Sequence, residues 1–215
     1  MSVAMDRIYP CITWCFFVFL PAQVIASDSE LEVALEKLEY LFEFDVSVVE
    51  VEAVYGNDES AFGIKVESEF VSGSYEASES QFYYAKPVSE NFTGIVGARF
   101  LHLRDNDTLS AMLGFSATTV FDIDVELLTF LDDDFTEFRF EMERAFSLQS
   151  KLELVPKIEL RAYSNDVEAA AVEARLIYTP KDRMGVYLGG AYIRVLQPGS
   201  DEGELTALAG LSYAW

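Results

Sequence analysis

The sequence predicts an all-β fold: an antiparallel up-and-down transmembrane β-barrel of about twelve strands, set in a Gram-negative outer membrane. Three observations carry this expectation. Period-two alternation of apolar and polar residues recurs along the chain with no helix-period stripe, turn chemistry separates the alternating runs, and the final run ends on an aromatic residue.

The elements follow in chain order. Residues 1–26 read as a secretory signal, with Arg7 as the positive charge, an apolar run from Cys11 to Leu20, and Val24-Ile25-Ala26 ending in small residues, so cleavage is expected after Ala26. The apolar run is about half the ~20 residues that a membrane-crossing helix needs. Residues 27–215 are then one barrel domain. Both cysteines, Cys11 and Cys15, fall in the signal, which leaves the barrel without disulfides, thiolate metal sites or a cysteine nucleophile. With 37 Asp+Glu against 15 Lys+Arg and a formal charge of −22, nucleic acid is excluded as a partner and cations are admitted.

The clearest alternation runs from Phe62 to Phe70, with Phe62, Ile64, Val66, Ser68 and Phe70 on one face and Gly63, Lys65, Glu67 and Glu69 on the other. Similar splits occur around Phe138, Phe140 and Met142, and around Leu152, Leu154, Ile158 and Leu160. The expected strand spans are 35–44, 47–56, 61–70, 75–86, 92–103, 109–117, 119–131, 135–146, 150–163, 168–180, 184–196 and 204–215. Several approach the ~9 to 11 residues of a tilted membrane-crossing strand. Turns are expected at 56–58, 72–74, 87–91, 105–107, 132–134, 164–166, 180–183 and 198–200. The weakest breaks are near Asp45 and Thr118; without them the count falls to ten.

Alternation alone does not say which face is inside, since a soluble lipocalin-like barrel has the same period. Two arguments place the apolar face outward. A barrel of about twelve strands is too wide to fill with a dry core. The last run alternates Leu205, Ala207, Ala209, Leu211, Tyr213 and Trp215 with smaller or polar residues, and Leu211, Tyr213 and Trp215 resemble the terminal signature that outer-membrane barrels present to their insertion machinery. Tyr40, Tyr83, Tyr84, Phe92, Phe100, Phe121, Phe135 and Tyr178 are candidates for interfacial girdles. An even strand number puts both termini on the periplasmic side with short loops on both faces. The expected partners are outer-membrane lipid and lipopolysaccharide, the barrel-insertion machinery, and metal cations, some of which the Asp132-Asp133-Asp134 turn could bridge to lipopolysaccharide.

Several stretches resemble the copper resistance protein B family: Leu38-Glu39-Tyr40; Tyr83-Tyr84-Ala85-Lys86-Pro87-Val88; GIVGARF from Gly94 to Phe100; Phe121-Asp122-Ile123-Asp124-Val125; Arg139-Phe140-Glu141-Met142-Glu143; and Leu154 to Ser164. They stand in the family's order and cover nearly all of the mature chain. The resemblance implies an outer-membrane barrel acting in copper resistance, with copper ions bound or passed. The chain departs from the family in lacking a His- and Met-rich stretch before the barrel: residues 27–34 are short, acidic and free of both. A general structural or pore-forming barrel without direct copper binding is the competing expectation. A soluble periplasmic binding barrel is the third.

The candidate site is a charged lumen: Asp122, Asp124 and Glu126 on one strand, Glu137, Arg139, Glu141 and Glu143 on the next, and Lys157, Glu159 and Arg161 on a third. Adjacent strands bring such groups within reach of one another. Carboxylates favour hard cations over copper(I). The candidate soft ligands are Met112, on the parity of Ser110 and Gly114, and His102, at a strand end on the parity of Phe100. Met142 shares the apolar parity of Phe138 and Phe140. With one histidine in the chain and no GxSxG, HExxH or P-loop pattern, the protein is expected not to be an enzyme.

Overall fold

The computed structural model describes residues 29–104, 106–132, 136–163, 166–195 and 203–215. The export segment 1–26, Asp133, Asp134 and Phe135, and the turn residues at 105, 164–165 and 198–200 lie outside them. The strands are β1 (Glu30–Leu41), β2 (Val46–Asn57), β3 (Ser60–Val71), β4 (Ser74–Ser89), β5 (Phe92–Leu103), β6 (Asn106–Thr118), β7 (Asp124–Leu131), β8 (Thr136–Glu143), β9 (Phe146–Gln149), β10 (Leu152–Tyr163), β11 (Asp166–Lys181), β12 (Met184–Val195) and β13 (Gly203–Ala214). Neighbours pair antiparallel, and β13 returns to β1 from Ala34↔Ala214 to Leu41↔Leu208, which closes the sheet. Closure leaves no open edge.

β8 and β9 are two pieces of one stave, because both pair with β10. The barrel therefore has twelve staves. The interruption faces Pro156: Arg144 donates its N–H to the Pro156 carbonyl at 3.2 Å, so the same side of Pro156 should return an N–H and has none. Both weak breaks are turns. Asp45 takes a positive φ of 52° and its carbonyl accepts the Ser72 N–H at 2.8 Å. Residues 119–123 fold back through Thr119 N–H to the Ile123 carbonyl at 2.9 Å, with Asp122 at φ 53°. That turn is why β7 begins at Asp124 and not at 119. Pro87, expected in a turn, instead lies in β4 opposite Thr93, beside a register shift between Pro87 and Ser89 that absorbs its missing donor.

The apolar parity faces out. Phe62 is 62% exposed and Leu188 67%, while Arg99 and Glu137 are each 1% exposed on the inner face. Aromatic pairs gather at both barrel ends. Phe62–Tyr84, Phe92–Phe115 and Tyr213–Trp215 lie at the end that holds the termini, and Tyr40–Phe42 and Phe70–Tyr75 at the opposite, loop end. Two such rings mark the interfaces of a membrane slab. Tyr83 is a correction to the expected girdle. It points inward over Gly63 and donates its hydroxyl proton to Glu52 at 2.5 Å; a Cβ at Gly63 would lie 2.0 Å from its ring.

Candidate functional site

Inward-facing positions of β1–β5, β7, β8, β10 and β11 supply a lumen of interleaved charge. On β2, Glu50 accepts Lys65 of β3 at 2.9 Å and Lys37 of β1 at 3.5 Å, and Lys37 also approaches Glu67 at 3.7 Å. Lys157 meets Glu141 at 2.6 Å and Glu159 at 3.8 Å, and Glu159 takes Arg161 at 2.7 Å. Carboxylates stand directly opposite one another at Asp124↔Glu143, Glu126↔Glu141 and Glu141↔Glu159. Like charges so placed repel, and Lys157, reaching both Glu141 and Glu159, offsets that repulsion at one of these pairs.

Three arginine–glutamate contacts reach over two or more intervening strands instead of running along the wall. Arg139 of β8 forms a two-pronged pair with Glu79 of β4, both N···O distances being 2.9 Å, although β5, β6 and β7 intervene in the sheet. Arg99 of β5 joins the cluster by pairing with Glu137 and lying 3.6 Å from Glu79, its guanidinium 3.8 Å above the Phe130 ring. Arg175 of β11 reaches Glu39 of β1 at 3.3 Å past β12 and β13, and also holds Glu173 at 2.7 Å. Charges buried in this way need partners: Arg139 and Glu79 are hydrogen-bonded, and Arg175 stands between two carboxylates as an ion pair. A cavity of about 600 Å³ is lined from Glu36 and Ser212 toward the terminal end to Glu69 and Ile193 toward the loop end, and smaller spaces of about 390 and 200 Å³ lie beside Glu126 and beside Arg99. The lining of the largest carries eleven carboxylates against six lysines and arginines.

Of the residues singled out from sequence, Asp124, Glu126, Glu137, Arg139, Glu141, Glu143, Lys157, Glu159 and Arg161 lie on the inner face, in the ladders and ion pairs of β7, β8 and β10. Asp122 does not: it is exposed in the turn at 119–123, where the chain has yet to enter β7. Met112 faces inward, but it is 3% exposed and packed with Ile95, Leu128 and Phe130. His102 lies at the loop end of β5, its Nδ1 against Asp107 and its ring 5.7 Å from Tyr75. The two candidate soft ligands therefore occupy different environments, one sealed in packing and one exposed at the rim. Among the described residues no group of three His, Cys, Asp or Glu is arranged to hold a metal ion. A resident copper centre built from Met112 and His102 does not fit these positions. Leu211, Tyr213 and Trp215 share the outer face, where the Trp215 N–H donates to the Val33 carbonyl at 2.8 Å and the Tyr213 and Trp215 rings meet edge to face.

Sequence reasoning missed Lys37, Glu39, Glu50, Glu79, Arg99, Phe130, Glu173 and Arg175 as lumen groups. Parity was the available signal: Phe130 shares that of Glu126, and Arg99 is opposite to Phe100.

The family model described as copper resistance protein B precursor matches residues 30–198. The chain belongs to that family. It is an outer-membrane β-barrel of a family linked to copper resistance. Among solved structures it is similar to the KdgM porin, with a TM-score of 0.58 and 12% identity over 86% of this chain and 99% of that one. It is also similar to the NanC porin, with a TM-score of 0.59 at 12% identity and the same coverages. A KdgM porin in complex with disordered oligogalacturonate aligns with a TM-score of 0.59 at 11% identity, again over 86% and 99% of the two chains. At these identities the likeness is one of fold. No curated protein matches the chain in sequence.

Proposed function

We propose that this barrel serves copper homeostasis as a carboxylate-lined pore that attracts and passes cations, with copper as cargo and not as a bound cofactor. The observation that carries this reading is the cavity along the lumen, where carboxylates outnumber cationic groups eleven to six. An excess of fixed negative charge between low-dielectric walls raises the local concentration of cations and repels anions. Family membership supplies the link to copper. The buried Met112 and the rim-bound His102 favour passage over tight binding, because copper(I) prefers thioethers and copper(II) imidazole, and the lumen offers carboxylates. The protein is proposed to be non-catalytic: its only histidine is held by Asp107 at the exposed rim. Lipopolysaccharide and the insertion machinery are proposed partners of the outer wall and of the last strand.

The test pairs transport with binding. In cells lacking the native protein, wild type should restore the copper phenotype, and Asp124→Ala combined with Glu141→Ala should weaken both that restoration and cation conductance. Unchanged conductance and copper tolerance in the double variant would overturn the reading. A copper titration of the refolded barrel in detergent should show only weak binding that His102→Ala and Met112→Leu leave unaltered; stoichiometric binding abolished by either substitution would contradict it.

A further inference from the structure

We infer that two arginine–glutamate ties across the lumen, Arg139–Glu79 and Arg175–Glu39, set the bore of the barrel, so that it admits water and small ions and holds back sugar-sized solutes. The inference rests on the pore reading above and names the residues that would determine its specificity.

The starting point is a mismatch of size. Twelve staves spaced ~4.8 Å apart and tilted ~40° make a backbone cylinder about 24 Å across. Yet the lumen holds spaces of only about 600, 390 and 200 Å³, a small part of what such a cylinder encloses. The missing space is filled at two places, and each has the same construction. Behind the Arg139–Glu79 tie, against β4–β8, sit Phe130, Met112, Leu128 and Ile95 as a packed apolar cluster. Behind the Arg175–Glu39 tie, against β11–β13, sit Tyr187, Ala191 and Leu208. In both, an aromatic ring lies under a guanidinium: Phe130 is 3.8 Å from Arg99 and 5.1 Å from Arg139, and Tyr187 is 5.3 Å from Arg175. The ring supports the cation from the wall side, and the glutamate anchors it from across the lumen.

Filling alone does not call for this chemistry. Apolar side chains of similar volume would occupy the same space without the desolvation cost of burying arginines and glutamates. A tie anchored on opposite walls differs from such filling in one respect. It presents the channel with a charged surface of fixed position, with the cavity on one face and the apolar cluster on the other; the Arg139–Glu79 tie cannot be pushed aside without breaking two hydrogen bonds, and the Arg175–Glu39 tie is an ion pair at 3.3 Å. Between the two ties, β1–β3 and β8–β11 supply most of the charged lining of the cavity described above.

The experiment is single-channel recording in planar bilayers, with liposome swelling in a pentose solution, on wild type, Arg139→Ala, Glu79→Gln and the lipid-facing control Leu113→Ala. Each is first checked for the gel shift between unheated and boiled samples. Wild type should give a small unitary conductance and no swelling. Arg139→Ala should raise conductance by about two-fold or more, since pore cross-section governs conduction, and admit the pentose; Glu79→Gln should move in the same direction, and Leu113→Ala should not differ from wild type. Equal unitary conductance in wild type, Arg139→Ala and Glu79→Gln barrels that all show the gel shift overturns the inference. A silent wild type with a conducting Arg139→Ala would uphold the ties as the barrier while removing the native pore reading. Silence in every variant would overturn both.

Discussion

Replacing Leu188 by arginine tests whether the apolar face of this barrel meets lipid. Leu188 is 67% exposed in the middle of β12, paired with Leu176 on β11 and Ala209 on β13, so its side chain has little protein contact to lose. In water such a substitution changes stability by no more than about 0.5 kcal/mol. At the midplane of a bilayer an arginine on the lipid face costs about 2–4 kcal/mol. At ~1.4 kcal/mol per factor of ten, that is a shift of about 30- to 700-fold in the folding equilibrium. The assay is reversible urea unfolding of the refolded barrel in lipid vesicles, read by the Trp215 fluorescence. Glu67→Gln is the control: its carboxylate sits 3.7 Å from Lys37 on the lumen face, and because Lys37 keeps Glu50 at 3.5 Å its loss should destabilise less than Leu188→Arg. A Leu188→Arg barrel as stable as wild type, with the same midpoint and slope, would refute the assignment of faces.

Three further outcomes are expected. At the seam, the Glu43 carboxylate accepts the Thr206 hydroxyl at 2.7 Å and the Ala207 N–H at 2.9 Å, which hold its pKa below the usual carboxylate range. A group depressed in this way contributes stability above its unfolded pKa and loses it as pH falls through the folded value, so wild type should weaken on acidification below about pH 4.5; Glu43→Gln should be less stable at neutral pH and flatter in that acid window, and an identical acid profile would contradict the seam contact. Asp45, lowered by the Tyr40 hydroxyl at 2.6 Å and then by Ser72, adds to the same acid sensitivity, which Tyr40→Phe should reduce in a thermal gel-shift series. Gly210→Val should cost about 1–3 kcal/mol by overpacking, because a Cβ there would lie 2.4 Å from the Tyr187 ring and 2.7 Å from the Leu38 carbonyl oxygen; urea midpoints would show it, and an unchanged midpoint would mean that the Tyr187 ring is placed elsewhere.

Much of the fold is written in the strand period and turn residues. A one-residue shift of parity would have turned Phe62 and Ile64 inward and Lys65 and Glu67 into lipid, so each strand specifies its own faces. The breaks at Asp45 and Thr118 were harder to read because neither carries Gly or Pro; Asp45 and Asp122 take positive φ as aspartates. Pro87 misled in the other direction, since a register shift lets a proline stay within a strand. Within the lumen, parity identified which groups of β7, β8 and β10 face inward but not whom they meet. Arg139 pairs with Glu79, sixty residues away along the chain, and no local pattern records a contact that passes over three intervening strands. Phe130 shows the same limit, because an apolar residue on a polar parity signals a platform only once the arginines above it are placed.

The measurement that bears most directly on this account is the reversal potential of the purified, refolded barrel in a planar bilayer under a potassium chloride gradient. A lumen with eleven carboxylates against six cationic groups predicts a potential of the sign that marks cation preference, reduced in the Asp124→Ala, Glu141→Ala double variant. A potential of the opposite sign, or one that the double variant leaves unmoved, would contradict the carboxylate-lined pore.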